Sequence, residues 1–211
     1  MHLTFTFASS KFILLLRIMS INTPSTDSEL MQRVHVNDSK ALEALYNRYS
    51  PLLYTLIKKI VVDEEVAKDV LSDVFVIIWR KIDLFDFNSN NVYTWIITIA
   101  RNKAVDTIRR ARNSSEMEPY NDEYENNKII PKLTQTNDPI DLETANNIKD
   151  EVEAALNNLT DAQQFVIDLA YYEGLTQKEI AERLNIPVST VKSKIKIALG
   201  NLKNNLVKGE L

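Results

Sequence analysis

Apolar residues recur at intervals of three and four along most of the chain, and that spacing predicts helices. Residues 27–60 read as two helices. Asp38 or Ser39 can cap the second, where Ala41, Leu42, Leu45, Tyr46 and Tyr49 line one face. Pro51 marks a bend or break, after which Leu52, Leu53, Leu56, Ile57 and Ile60 resume the stripe. Asp63, Glu64 and Glu65 suit the positive end of the next helix, and Val66, Val70, Val74, Ile77 and Ile78 carry its apolar face as far as Trp79. Residues 83–91, DLFDFNSNN, break the period and read as a loop. A helix over 92–112 places Ile96, Ile99, Ala100, Ala104 and Ile108 on one side. Thr98, Arg101, Asn102, Val105, Arg109 and Arg112 fall on the other. Residues 113–147 hold Pro119, Pro131 and Pro139 and no periodicity, and read as an extended linker. Helical spacing returns over 148–207. Val152, Ala155, Leu156 and Leu159 form one stripe; Phe165, Val166, Leu169 and Ala170 form another.

The last helical stretch carries a denser pattern. In LTQKEIAERLNIPVSTVKSKIKIALG, residues 175–200, Thr176 and Glu179 have the spacing of a capping box. Ile180, Ala181 and Leu184 make an inner face, with Ala181 small where two helices cross. Asn185-Ile186-Pro187 forms a turn, and Pro187 tolerates the start of the following helix. Val191, Ile195 and Leu199 face inward; Ser189, Thr190, Lys192, Ser193 and Lys196 face outward. This is a helix-turn-helix pattern, whose second helix enters the major groove of DNA, with lysines and hydroxyls holding phosphates or base edges.

Composition narrows the chemistry. The chain lacks cysteine, which excludes disulfides, zinc–thiolate sites and cysteine catalysis. His2 and His35 are the only histidines and cannot by themselves build a metal site; no nucleophile–histidine–acid set or phosphate loop is present, so the chain does not read as an enzyme. Three glycines among 211 residues are few for a sheet-rich fold. The net charge of −4 argues against a nucleic-acid binder until its distribution is considered. Residues 113–153 carry 11 acidic and 3 basic side chains, while basic residues bunch at 101–112 and 192–208. Phosphate binding needs a local positive stripe, not a positive whole. At the N-terminus, the apolar run 12–16 is too short to span a bilayer, Arg17 follows it at once, and no small-residue cleavage site is evident. Translation is read as starting at Met19, with a flexible or partner-binding tail as the alternative, and residues 1–26 are set aside as a disordered extension.

Residues 41–110 resemble the second conserved region of the sigma-70 family of RNA polymerase sigma factors, in its extracytoplasmic-function (ECF) branch. The matching stretches are ALEALYNRYSPLLY, AKDVLSDVFVIIWRKIDLF and YTWIITIARNKAVDTIRR. Residues 154–203 resemble the fourth region of the same branch. Departures are modest: Ser72 stands where the family has Gln, and STVKSK over 189–194 where it has GTVKSR. The resemblance implies an all-α protein of two small helical domains, 27–112 and 148–211, joined by a flexible acidic linker, 113–147. It also implies a cytoplasmic sigma factor that binds core RNA polymerase through the clamp and flap regions and directs promoter-specific initiation. Promoter DNA and, for many members, an anti-sigma factor clamping the two domains are the further partners; no cofactor or small-molecule substrate is implied. By resemblance, Asp69, Asp73 and Trp79 face the clamp, although Phe75 reads as core. Asn88, Asn90 and Asn91, with Tyr93 and Trp95 as aromatic faces, capture a base flipped from the minus-10 element; Trp95 reads equally as a core aromatic, and the asparagines as a plain turn. Asn102 contacts that strand, and Arg101, Lys103, Arg109 and Arg110 hold its backbone. Ser189, Thr190, Lys192, Ser193 and Lys196 read the minus-35 element. The acidic linker threads the basic channels of the polymerase. The competing reading, a stand-alone helix-turn-helix regulator, would need a ligand or receiver domain, and 27–112 shows neither a glycine-rich loop nor strand–helix alternation.

Overall fold

The computed structural model describes residues 25–88, 91–113, 117–131 and 141–208. The expectations for residues 1–24 lie outside these. Four helices open the fold: α1 (Asp27–His35), α2 (Ser39–Val61), α3 (Glu64–Lys81) and α4 (Val92–Arg112), with a short 3-10 turn at Ile82–Leu84. Each starts where a side chain can accept from an orphan amide of the first turn. Thr26 and Glu29 form a capping box on α1. The Asp38 carboxylate accepts from the amides of Lys40 (3.0 Å) and Ala41 (3.4 Å), Asp63 from Val66 (3.0 Å), and Asn91 from Thr94 (2.9 Å). Removing one such cap costs about 1 kcal/mol. Asp38→Ala is therefore expected to lower the stability of this unit by that amount, read as a shift in urea midpoint at unchanged slope. An unshifted midpoint would mean the start of α2 is held by packing alone.

Pro51 does not break α2, which runs continuously from Ser39 to Val61. Leu45, Tyr49, Leu53 and Ile57, all fully buried, anchor the helix on both sides of the proline. Burial of that stripe, at roughly 1.5–3 kcal/mol per large side chain, outweighs the one hydrogen bond a proline removes. α2 packs against α1, α3 and α4. The resulting core is continuous from Leu30 and Met31 through Val74 and Ile78 to Trp95, Ile96 and Ile99. The Tyr49 hydroxyl donates to Asp27, which also pairs with Arg48. Burial and that carboxylate push the Tyr49 phenol well above its usual range, so it stays protonated and a donor.

Helices α6 (Lys149–Asn157), α7 (Asp161–Tyr171), α8 (Gln177–Leu184) and α9 (Val188–Lys208) build the C-terminal unit around Leu169, Ile180, Ala181 and Val191. The predicted capping box is formed: the Thr176 amide donates to Glu179 (2.6 Å) and the Glu179 amide to Thr176 Oγ1 (3.2 Å). Asn185 takes the left-handed conformation (φ 51°) that ends α8. The Pro187 carbonyl then receives the amides of Thr190 and Val191, starting α9. One expectation fails here. Leu199 is 53% exposed, while Ala198 is fully buried. At about 100° per residue, position 198 returns to the azimuth of Val191 and position 199 overshoots it. Phe165, placed in the α7 stripe, is also exposed beside buried Val166 and Leu169.

Part of the stretch read as an extended linker is packed. An α-turn at Asp122–Tyr124 runs into a π-helical turn at Glu125–Ile129. Ile129 and Ile130 are buried in the N-terminal core. The acids hold the segment down: Asp122 pairs with Arg80 (2.6 Å) and Lys81 (3.2 Å), and buried Glu125 lies within 4.0 Å of both cations. Pairing with Lys81, then Arg80, keeps the Asp122 carboxyl below its usual range. A short helix α5 (Leu142–Asn147) follows, capped by Asp141. Among the described residues no helix is long and apolar enough to cross a membrane.

Candidate nucleic-acid interface

α4 is the spine of the N-terminal site. Trp95, Ile96, Ile99, Ala100 and Ala104 turn into the core, which leaves the basic side chains outside it. None of those side chains is idle. Arg101 donates to the carbonyls of Ala170 (2.8 Å) and Tyr171 (3.0 Å) and lies over the Tyr171 ring. Burial lowers its pKa from the ordinary arginine value. Asn102 Nδ2 donates to the Ile129 carbonyl (3.0 Å). Lys103 pairs with Asp73 (3.1 Å) and donates to the Tyr120 hydroxyl (3.2 Å). Arg109 donates one amino group to both Glu179 oxygens, each at 3.0 Å. Arg110 donates to buried Asp106 (2.9 Å) and to the Glu118 carbonyl (3.0 Å), and lies over the rings of Tyr120 and Tyr124.

Val105, expected on the polar side of α4, is buried. It meets the turn before the helix-turn-helix: a Cβ built at Gly174 would lie 2.1 Å from Val105 Cγ1. The face assignment by periodicity was correct about the helix axis, but a second unit covers that face.

At the start of α4, Arg48, Phe87, Asn88, Asn91 and Tyr93 line a cleft of ≈ 880 Å³, and Leu142 and Asn146 of α5 form its far wall. Asn88 is exposed, and Asn91 spends its carbonyl oxygen on the cap of α4. Asn90 lies outside the described residues. Tyr93 is half-buried, and desolvation raises its phenol pKa. Trp95 must be corrected. It is fully buried, edge-on to Phe85 at 5.2 Å between centroids, and cannot offer a ring face to a base. Phe87, partly buried at the cleft, is the better-placed aromatic. Arg48, whose position reads as one more polar site on α2, reaches the cleft while tied to Asp27 and to the Ser25 carbonyl.

On α3, Asp69 is exposed, Asp73 is half-exposed in its pair with Lys103, and Trp79 is partly buried against the core. Phe75 is buried against Tyr46, as expected of a core residue. On α9, Ser189, Lys192, Ser193 and Lys196 are exposed and Thr190 is partly so. Among the described residues, none of these five side chains enters an ion pair or side-chain hydrogen bond. The two halves of the surface therefore differ. The α9 face is free, and the α4 face is occupied from within.

Residues 45–114 match the family description "Sigma-70 region 2", and residues 155–204 match "Sigma-70, region 4". The chain is 30% identical over 177 residues to the ECF RNA polymerase sigma factor SigK of Mycobacterium tuberculosis, covering 84% of this chain and 91% of that one. This chain belongs to the ECF sigma factors of the sigma-70 family. As a sigma factor it directs transcription initiation. SigK of Mycobacterium sp. strain JLS is 28% identical, over 84% of this chain and 89% of its own. Among solved structures, Rhodobacter sphaeroides SigE in complex with the anti-sigma ChrR shares 26% identity over 86% of this sigma factor and 99% of that chain, with a TM-score of 0.44. The region 2 match contains α4 and its arginines; the region 4 match contains the helix-turn-helix.

Proposed function

We propose that this sigma factor joins core RNA polymerase and places two DNA-reading surfaces on one promoter, one in each helical unit, 27–112 and 148–211. The observation that carries the reading is the unpaired, exposed row Ser189, Lys192, Ser193 and Lys196 on the second helix of a helix-turn-helix. The capping box and the left-handed Asn185 set the angle of that helix. Free lysines on a fixed helix can replace counterions on phosphates, and adjacent hydroxyls can bond base edges in the major groove. This surface reads the minus-35 element. α4, through Arg101, Asn102, Lys103, Arg109 and Arg110, holds the minus-10 strand. The cleft at Asn88, Asn91 and Tyr93, with Asn90, takes a base from that strand, and Phe87 supplies the ring face in place of Trp95. Asp69, Asp73 and Trp79 on α3 meet the polymerase clamp. On this reading the protein is cytoplasmic and acts by binding, without catalysis or cofactor; its partners are core RNA polymerase, promoter DNA and the anti-sigma factor such proteins take.

Run-off transcription with cognate core polymerase, on fragments from the protein's own gene neighbourhood, tests the assignment. Wild type is expected to give start-site-specific transcripts. Lys192→Ala/Lys196→Ala is expected to weaken them about 10- to 100-fold. Loss of two phosphate contacts should also flatten the salt dependence of duplex binding by about 1.8 in log–log slope. No transcript together with no core binding would sink the reading in favour of a stand-alone regulator.

A further inference from the structure

Phe87, the ring assigned to the cleft, stands on a turn, so side-chain contacts rather than a helix must fix it. Two rings do so. Phe85 lies 4.9 Å away with planes 90° apart and is itself buried against Trp95. His35, the last residue of α1, lies 5.6 Å from Phe87 with planes 68° apart. His35 Nδ1 in turn lies 3.1 Å from Asp83 Oδ1, on the 3-10 turn that follows α3. We propose that His35 is a positioning residue for promoter opening: it holds Phe87 in the orientation that receives a base extruded from the minus-10 strand. This inference rests on the reading of the cleft as the base-capture site.

Extruding a base costs stacking energy, and a ring that must first be ordered returns less of it. A ring held beforehand shifts that ordering from binding to folding. His35 is placed for the task. Val34 beside it is buried in the core, which fixes the backbone, while the imidazole itself is half-exposed. Asp83 restricts the imidazole, and the imidazole restricts Phe87; a swing of Phe87 about χ1 would break both of its ring contacts. His35 does not line the cleft, so its influence passes through Phe87. The amides of the cleft are fixed by other means. The Asn88 amide donates to the Asp86 carboxylate (2.9 Å), and Asn91 caps α4. Loss of His35 should therefore be felt only where Phe87 carries a base.

Holoenzyme reconstituted with cognate core polymerase tests this on a labelled minus-10 non-template strand from the promoter mapped by run-off transcription. Abasic substitution at each position in turn marks the captured base as the one whose removal weakens wild type but not Phe87→Leu. His35→Ala is expected to bind the intact strand about three- to tenfold more weakly than wild type, the range of one aromatic contact. On the strand abasic at the captured position the two proteins should bind alike. Adding His35→Ala to Phe87→Leu should cost nothing further. His35→Phe, which keeps a ring at this place, should bind within about twofold of wild type. A loss in His35→Ala of equal size on intact and abasic strands would overturn the inference, because a merely structural defect does not depend on the base. So would intact-strand binding unaltered by His35→Ala, or a His35→Phe chain as weak as His35→Ala. If no abasic position separates wild type from Phe87→Leu, base capture by Phe87 fails and takes the inference with it, a result reached without any change at His35.

Discussion

Trp95→Ala is expected to cost the N-terminal unit about 3–5 kcal/mol, the range for emptying a fully buried aromatic site. Trp95 is 0% exposed and is flanked by Ile96, Ile99 and the Phe85 ring. Its neighbours sit on α4 and on the loop before it, so the void would open under α4. Thermal unfolding followed by far-ultraviolet circular dichroism would show the loss. Trp95→Phe should cost far less. The indole Nε1 is buried without a hydrogen-bond partner, so removing it relieves an unpaired donor and offsets part of the lost volume. If Trp95 instead stacked on a base, Trp95→Ala would keep its melting temperature and lose only promoter opening; that result would refute the core assignment.

Asp106→Ala is the second large effect. Asp106 is 4% exposed and accepts from Arg110 Nε (2.9 Å) and the Tyr124 hydroxyl (2.6 Å). Removing one partner of a buried pair leaves the other uncompensated, at about 3–5 kcal/mol when burial is complete. Arg110 keeps a quarter of its side chain in water, which puts the expectation at about 2–3 kcal/mol. The damage has a direction. Tyr124 and Arg110 tie the segment around Asp122–Ile129 to α4, so that segment should detach before the helices unfold. Limited proteolysis should cut Asp106→Ala first near Lys128, at urea concentrations where wild type resists. Cleavage at the same rate in both proteins would show that Ile129 and the Asp122 pairs hold the segment unaided.

Local signals carried the helices. Asp38, Asp63 and Thr176 cap where their side-chain chemistry places them, and the buried stripe of α2 follows its spacing on both sides of Pro51. Chemistry that depends on distant partners was not legible. Val105 reads as polar-side because its α4 neighbours Arg101 and Arg109 are polar; only the fold brings Gly174 over it. Arg109 and Glu179 are 70 positions apart, and nothing in the spacing of either announces the pair. The stretch 117–131 has no period because its two buried apolar residues, Ile129 and Ile130, are adjacent, and the rest of its attachment is by ion pairs and hydrogen bonds. Leu199 was misplaced by one residue because seven steps, not eight, return an α-helix to the azimuth of Val191.

The fit of Val105 against Gly174 ties two positions 69 residues apart into one unit of sequence drift. Gly174 has φ +65°, which asparagine also tolerates, but any Cβ there collides with the valine methyl. Across relatives that keep this contact, a glycine at the equivalent of 174 should accompany valine at 105. A side chain at 174 should appear only alongside a smaller residue at 105, so the two columns are expected to vary together even though each lies in a different conserved region.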